Sequence, residues 1–248
     1  MVSIATAPID AATVVVARDT DNGVEVLMLR RNSKIYFGGM WVFPGGRVDP
    51  ADREDENQVF VCDDSNGRGF FAAAVREAQE EAGIDLSDSV LHHFAHWLPP
   101  AIRPKRFSTQ FFLTTAPANL DVAIDHGEIT EHHWMTPADA LRRRAIGEIE
   151  MVTPTFCTLN WLEKFRTVSD ACSAVKNPEC FHTHIKQVDG SDPGMVAFYS
   201  GDVSYDSLDL EAPGARRRCY MLQSAWWWEE HDGDGSSLSL EGPDIVTS

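Results

Sequence analysis

The sequence is short of positive charge. It has 21 lysines and arginines against 38 aspartates and glutamates, so its 248 residues carry a formal net charge of −17 at pH 7. Such an acidic excess disfavours nonspecific binding to nucleic acid or to an anionic membrane surface. It also disfavours an anionic substrate unless a bound cation mediates the contact. The simpler interpretation, that the acidic residues mainly keep the protein in solution, stays open.

Cysteine is scarce, and long apolar runs are missing. The five cysteines are odd in number and contain no Cys-x-x-Cys pair, which argues against a disulfide framework and favours a reducing compartment. The apolar run at 11–17 has no basic segment before it and is too short for a secretion signal or a membrane span. We therefore expect a cytoplasmic protein that does not cross a membrane.

The order of predicted strands and helices along the sequence is that of a mixed α/β protein. β-Branched or alternating segments predict strands at 12–18, 24–30, 90–98, 107–115, 128–134, 184–189, 195–200 and 218–227, with a short apolar piece at 38–46. Helical periodicity and boundary residues predict helices at 69–82, 137–144 and 154–167.

The same pattern suggests one domain with additions. We expect a single domain over 1–228, with its core at about 11–145 and further helices and strands over 146–228. The acidic, irregular range 47–68 indicates an exposed insertion. The Gly-, Ser- and acid-rich range 229–248 indicates a mobile tail.

Three glutamates share one face of the helix predicted at 69–82. Glu77, Glu80 and Glu81 stand at positions i, i+3 and i+4, so their carboxylates are neighbours. Like charges at this spacing repel each other by roughly 0.2–0.5 kcal/mol per exposed pair. Several oxygen ligands suit Mg²⁺ or Mn²⁺, which would offset the repulsion and supply the missing positive charge. The alternative is a solvated acidic face on which Arg76 forms a surface ion pair.

Two motifs favour the metal interpretation. The sequence Arg-Glu-Ala-Gln-Glu-Glu-Ala-Gly-Ile at 76–84 resembles the second half of the Nudix box, and Phe-Pro-Gly-Gly at 43–46 resembles the turn before that box. Both halves in the right order are a stronger signal than either half alone. The resemblance covers about residues 11–145 and implies an α/β fold, a Nudix-type α/β/α sandwich with a mixed sheet, followed here by C-terminal additions.

The spacing between these motifs departs from the family pattern. In the usual box the turn glycine lies fourteen positions before the arginine, whereas Gly46 precedes Arg76 by thirty, so about sixteen residues are inserted. The family's early glutamate lies eight positions before the arginine, where this sequence has Arg68. We expect that acid to be missing or displaced into the loop, with Asp49, Asp52 and Asp64 as candidates.

The resemblance implies roles for individual residues. The metal ligands would be Glu80 and Glu81, with Glu77 completing the set and a backbone carbonyl, of Gly46 or Gly45, adding an oxygen. Arg76 would orient a glutamate through a charge-assisted hydrogen bond. The metal would neutralise a diphosphate and acidify the attacking water. The general base stays open between Glu81 and Glu128, and Glu128 could instead be an exposed acid without a role.

The flanking segments bear on the substrate. The stretch at 27–52, and the insertion followed by RPKRFSTQFF at 103–112, are similar to coenzyme A diphosphatases of the Nudix nineteen-like branch. A small nucleotide substrate is implied, either CoA or an acyl-CoA. ADP-ribose, NADH and other ADP conjugates are alternatives, as is a module that binds nucleotide without cleaving it. The residues expected to contact the substrate are Arg30, Arg31, Arg106 and Phe43, and for the arginines surface pairing is the alternative.

Two further groups invite a functional interpretation. Cys180, His182 and His184 suggest zinc, but no fourth ligand stands at a recognised spacing, and the other histidines, His96 among them, follow no ligand pattern. The tryptophans at 226–228 could stack on an adenine or form a dimer contact, although packing is the favoured interpretation. A homodimer is therefore left as an open expectation.

Overall fold

The computed structural model describes residues 7–34, 37–54, 69–101, 105–117 and 119–233. The strands are β1 (Ile9–Thr20), β2 (Gly23–Arg31), β3 (Trp41–Val42), β4 (Gly45–Arg47), β5 (His92–Leu98), β6 (Phe107–Thr115), β7 (Ile129–Met135), β8 (Glu179–His182), β9 (His184–Val188), β10 (Gly194–Phe198), β11 (Arg216–Leu222) and β12 (Trp226–His231). The helices are α1 (Phe70–Ala82), α2 (Pro137–Ala145), α3 (Thr153–Leu162) and α4 (Val168–Ala174), with a 3-10 helix at Ala51–Glu54.

The strands form two sheets. The larger has the order β3-β2-β1-β6-β5-β8, with β4 also pairing with β1 and β7 with β2. It is mixed, because β1 runs parallel to β6 and β5 runs parallel to β8, whereas its other pairs are antiparallel. The smaller sheet, β12-β11-β10-β9, is antiparallel. The expected mixed α/β architecture is therefore present.

Two hydrophobic layers cover the faces of the larger sheet. Along β1, Val14 and Val16 point into the layer that contains the alanines of α1, whereas Val15 and Ala17 point into the other layer. That second layer holds residues of α3, α4 and the smaller sheet. Successive residues of a strand face opposite sides, so a β-branched run buried throughout is what a sheet covered on both faces requires.

Helix α1 is close to its predicted bounds. Its alanines, Ala73, Ala74 and Ala78, are buried against the sheet, where small side chains let the helix approach closely. The helix ends at Gly83, whose φ of 68° is left-handed and whose amide N–H donates to the carbonyl of Gln79. Glycine adopts that conformation without the steric cost of a Cβ atom. Glu81 lies in the last turn before this glycine, in contact with Gly45 of β4 and Arg31 of β2.

The C-terminal additions differ from the expectation in detail. Two elements, α4 and β8, were not predicted, and the helix predicted to reach residue 167 ends at Leu162. The single strand predicted at 218–227 is two strands, β11 and β12. Strand β12 continues to His231, so the tail boundary expected at residue 228 falls inside a strand and was wrong. The expected tail beyond residue 233 and most of the expected insertion, at 55–68, lie outside the described residues.

No helix in the described ranges is long and apolar enough to cross a membrane.

Candidate active site

The site is built around Glu81, in the last turn of α1. Its side chain is buried, with the whole residue 4% exposed. One carboxylate oxygen, Oε2, accepts a hydrogen bond from the amide N–H of Gly45 at 2.9 Å. The other, Oε1, accepts from Nη1 of Arg31 at 3.2 Å. Glu81 is therefore fixed between the glycine turn and the end of β2.

Glu77 lies one turn earlier and faces the same turn. Its carboxylate is so close to the Cα of Gly46 that a Cβ atom at that position would overlap Oε1. A side chain at position 46 would therefore have to displace the carboxylate of Glu77. Glu80, by contrast, is exposed and bonded to Arg76. The three glutamates occupy one helical face as predicted, with two turned into the fold and one toward solvent.

Arg76 connects the glutamates of this helix face to the chain around Arg47 and Asp52. Its Nε and Nη2 donate to the two oxygens of Asp52 at 3.1 and 3.0 Å. Its Nη1 donates to Glu77 and to Glu80, both at 2.9 Å, and its Nη2 also donates to the carbonyl of Arg47 at 2.8 Å. The bond to Asp52, with further help from Glu77, raises the pKa of Arg76 above its ordinary value. Bidentate geometry of this kind restrains orientation as well as supplying energy.

Asp52 corrects the sequence alignment at the insertion. It is 6% exposed, sits on the 3-10 helix, and also accepts the amide of Asp49 at 2.8 Å. Counted forward from Gly46 with the family spacing, the early acid falls on Asp52, whereas counting back from the arginine had pointed to Arg68. The acid is therefore kept as an aspartate. The extra residues lie between Asp52 and Arg76, in the part of the chain that includes 55–68.

Burial makes it unfavourable for Glu77 and Glu81 to carry negative charge without a nearby positive charge. Desolvation raises the pKa of the Glu81 carboxyl to about 8, although the Gly45 amide and Arg31 oppose the shift. Desolvation also raises the pKa of Glu77, against the effect of Arg76. Two neighbouring carboxylates that are costly to ionise alone are satisfied by a proton or by a cation. The oxygen donor set fits Mg²⁺ or Mn²⁺.

The backbone oxygen best placed to join these ligands belongs to Gly45, not Gly46. Val14 donates to the carbonyl of Pro44 and Val48 donates to the carbonyl of Asp10 across the β1–β4 pair. In an antiparallel pair the backbone groups of successive residues point alternately toward and away from the partner strand. The N–H and C=O of Gly46, which is paired with Ala12, therefore point toward β1. Those of Gly45 point away from β1, toward the side on which its N–H donates to Glu81. Of the two carbonyls that the sequence left open, the pairing therefore favours Gly45 over Gly46, and the ligand role itself stays a prediction.

Glu128 joins the cluster from another element. It precedes β7, its side chain is 63% exposed, and one oxygen accepts from Nη2 of Arg31 at 2.9 Å. The loop that carries it is held by Asp125, whose carboxylate accepts the amides of Gly127, Glu128 and Ile129. Arg31 therefore bridges Glu81 and Glu128. Sequence spacing alone does not show this bridge, because 97 positions separate Arg31 from Glu128.

The other expected substrate contacts are dispersed. Arg30 neighbours Arg31 on β2, but it forms an ion pair with Glu131 at 2.6 Å instead of joining the glutamates. Phe43 is 2% exposed and packs in the core, so it has no surface to offer a substrate, and that expectation was wrong. Arg106, just before β6, donates to the carbonyl of Pro99 at 3.3 Å, and its substrate role stays a prediction.

The tryptophans at 226–228 are packing residues, as favoured. Trp226 packs edge-on against Phe156, and Trp227 stacks on Tyr220 with ring centroids 4.3 Å apart. Trp228 belongs to the core layer. A role in stacking on a nucleotide is not supported by these contacts.

Comparison with known protein families assigns this chain to one of them. The model of the NUDIX domain matches residues 8–156, more than half of the chain. The chain belongs to the Nudix family. The Nudix residues identified above, from the glycine turn to the glutamates of α1, lie within the matched range.

Similar proteins are Nudix hydrolases. The chain is 25% identical to putative nudix hydrolase 7 of Caenorhabditis elegans in an alignment 209 residues long, which covers 68% of this chain and 66% of that protein. It is 30% identical to the acyl-coenzyme A diphosphatase NUDT19 of Xenopus laevis over 91 residues, 35% of this chain and 24% of that protein. A crystal structure of a NUDIX hydrolase from Alicyclobacillus acidocaldarius superposes with a TM-score of 0.62 at 25% identity, covering 68% of this chain and 97% of that one.

The raised pKa of Glu81 predicts an unusual pH dependence of stability in the metal-free Nudix protein. The unfolded chain releases the Glu81 proton near pH 4.5, whereas the folded chain holds it up to about pH 8. Between these values the folded state binds more protons, so the free energy of unfolding falls as pH rises. The Glu81→Gln variant has no carboxyl to titrate at this position, so this decrease in the free energy of unfolding is absent. With a chelator present, the variant should gain stability over wild type by at most about 5 kcal/mol at alkaline pH.

Urea denaturation at a series of pH values measures this difference. Asp88→Asn, which changes an exposed acid beyond α1, is the matched control and should follow the wild-type profile. Parallel profiles for wild type and Glu81→Gln would show that Glu81 is ionised without cost. Addition of Mg²⁺ should stabilise wild type most at alkaline pH, because the cation competes with the proton.

The anchoring of Arg76 by Asp52 gives a second prediction. Asp52→Ala removes the bidentate partner and should lower the free energy of unfolding by about 1–3 kcal/mol. It should also weaken divalent-cation binding, because Arg76 no longer restrains Glu77 and Glu80. Asp49→Ala is the control, because the bonds of Asp49 to Asp52 use its backbone amide and carbonyl, which alanine keeps. Calorimetric titration with Mn²⁺ distinguishes the two variants, and equal losses in both would contradict the assignment.

Proposed function

We propose that this Nudix protein hydrolyses the diphosphate linkage of a nucleoside diphosphate derivative with the help of Mg²⁺ or Mn²⁺. The observation that supports this most directly is the buried carboxylate of Glu81, held between the Gly45 amide and Arg31. Glu77 and Glu80 complete an oxygen-rich face beside it. A solvated acidic helix face does not account for a glutamate that is buried and restrained in this way.

The net charge of the chain supports a role for a cation. With a formal charge of −17, the protein offers little attraction for a diphosphate by itself. Arg31 and Arg76, the arginines that reach the cluster, are already paired with carboxylates. Glu77, Glu80, Glu81 and the Gly45 carbonyl would hold the ion. When bound, a divalent cation neutralises the diphosphate and acidifies water.

The protein's own residues then position the reaction. Arg31 keeps Glu81 and Glu128 apart and oriented, and Arg76 does the same for Glu77 and Glu80. We assign the general base to Glu128, because both oxygens of Glu81 are already engaged whereas Glu128 is largely exposed. Water attacks one phosphorus as Glu128 takes its proton. The phosphoanhydride P–O bond breaks, and both products leave as phosphate monoesters.

Coenzyme A or an acyl-CoA is the substrate that we propose first. The support is the likeness of 27–52 and 103–112 to CoA diphosphatases, together with 30% identity to a relative described as an acyl-coenzyme A diphosphatase. The matched part is 24% of that relative. ADP-ribose and NADH contain the same diphosphate unit and are the alternative substrates. The cytoplasmic location and the homodimer expected from the sequence stay predictions.

A binding module without activity is the alternative function. Two features motivate it, the sixteen-residue insertion and Arg68 at the position of the early acid. The second loses its weight because Asp52 supplies an acid that pairs with Arg76. A pure binding module would also have no need for a glutamate as costly to bury as Glu81. We therefore place hydrolysis ahead of binding alone.

The hydrolysis proposal predicts turnover of a nucleotide panel. Full-length protein with Mg²⁺ or Mn²⁺ should release phosphate monoesters from CoA and acyl-CoA faster than from ADP-ribose or NADH, measured by chromatography of the products. Glu81→Gln should lose activity by roughly 100-fold or more, whereas Asp88→Asn should retain it. Absence of turnover in all compounds, with nucleotide binding that needs no metal, would favour the binding module.

The assignment of the base predicts a separate effect at Glu128. Glu128→Gln should lower kcat by about 100-fold or more with little change in KM, because proton transfer is lost while binding is kept. Glu131→Gln is the matched control, since Glu131 lies three positions away and pairs with Arg30. Wild-type kcat in Glu128→Gln would return the role of base to Glu81.

A further inference from the structure

A second group of metal-ligating side chains lies at the edge of the larger sheet, far along it from the glutamates. The ligand atoms of His96, Cys180 and His182 all lie within 4.8 Å of one another. His96 is on β5, and the other two are on the edge strand β8. No other group of three or more histidine, cysteine or acidic ligands meets this criterion within the described residues.

The parallel pairing of β5 and β8 creates this group. In its register His96 stands opposite Cys180, and Leu98 stands opposite His182. Cys180 and His182 are two positions apart on one strand, so their side chains point to the same face. The alternating residues Trp97 and Phe181 point to the opposite face, where their rings stack with centroids 4.0 Å apart. That stack holds the two strands together behind the three ligands.

The environment of each residue suits metal binding. His96 is 9% exposed, and its Nε2 lies 2.8 Å from Oγ of Ser108, a contact that fixes the ring as hydrogen bonds to metal-binding imidazoles commonly do. The rings of His96 and His182 are nearly perpendicular, with centroids 5.4 Å apart. Cys180 is an exposed free thiol, and His182 is exposed. Solvent and ions therefore have access to the group.

His184 is excluded, although it is the neighbour that the sequence suggests. Its ring stacks on Tyr205 with centroids 4.2 Å apart, and its Nδ1 lies 2.9 Å from the Tyr205 carbonyl oxygen. The third ligand instead comes from His96, 84 positions before Cys180 in the chain.

We propose that His96, Cys180 and His182 bind a Zn²⁺ ion, with a fourth position open to water or to an exogenous ligand. One thiolate and two imidazoles are the donors that zinc prefers, whereas Mg²⁺ prefers oxygen. Tetrahedral zinc at its usual bond lengths places such ligand atoms roughly 3.3–3.6 Å apart. The observed spread of up to 4.8 Å needs only small rotations, and two of the three side chains are exposed and able to rotate.

The position of the site gives the ion a structural consequence. Strand β8 is the edge strand that joins α4 to the smaller sheet, and its described neighbour in the larger sheet is β5. An ion shared by β5 and β8 would tie the C-terminal additions to the Nudix core. Binding to the folded state alone raises stability.

Cobalt substitution tests the site without relying on catalysis. Metal-free full-length protein, in excess Mg²⁺ and a thiol-free reductant, should bind one equivalent of Co²⁺ with a thiolate-to-metal charge-transfer band in the near ultraviolet. Zn²⁺ should displace it. Cys180→Ser should abolish the band, and His182→Ala should weaken Zn²⁺ binding by roughly 100-fold or more. His184→Ala is the matched control and should keep both properties.

Thermal unfolding supplies a second readout. Zn²⁺ should raise the midpoint of wild type and of His184→Ala, but not that of Cys180→Ser, while circular dichroism of the metal-free variants confirms that they fold. Co²⁺ binding without a thiolate band, or Zn²⁺ affinity unchanged in Cys180→Ser and His182→Ala, would overturn the proposal. The Mg²⁺-dependent hydrolysis should be unchanged in Cys180→Ser, so the two sites can fail independently.

Discussion

The arrangement at the end of α1 depends on the burial of one carboxylate. A charged group removed from water carries a large cost unless hydrogen bonds and an opposite charge surround it. Glu81 has both, but the Gly45 amide and Arg31 do not offset the cost fully, since burial still raises its pKa to about 8. The remaining cost is what a bound cation would offset under the proposed function. The proposed metal site therefore depends on the burial of a single side chain.

The neighbouring pair of Arg76 and Asp52 explains how the Nudix motif tolerates its long insertion. The cost of closing a flexible loop rises slowly with length, by about 0.6 kcal/mol for each doubling. What matters is that both ends of the loop remain fixed. Asp52 before the insertion and Arg76 after it are joined by two hydrogen bonds, and Arg76 also donates to the carbonyl of Arg47. The helix face that carries the glutamates is therefore fixed to the chain on both sides of the insertion.

Sequence reasoning grouped residues correctly where their proximity depends on local periodicity. Glu77, Glu80 and Glu81 needed only a helix, and the alanines and Gly83 that define that helix are local signals. It failed where the decisive neighbour lies across a sheet. Phe43 is adjacent to the glycine turn, yet alternation turns it into the core. Arg30 and Arg31 look equivalent in the sequence, but they point to opposite faces of β2. Arg30 therefore pairs with Glu131, whereas Arg31 pairs with Glu81.

The same limit separates the residues of the two proposed metal sites. A helix brings positions i and i+4 together, so the oxygen cluster is visible in a short motif, whereas the pairing of β5 with β8 has no local signature. By alternation, both groups lie on the face of the sheet that α1 covers in part. Strand β8 is three strands from β1, on the order of 14 Å at the usual strand spacing. The two proposed sites differ in donor chemistry as well as in place. Oxygen donors at one end of the sheet suit Mg²⁺ or Mn²⁺, whereas sulfur and nitrogen donors at the other suit Zn²⁺.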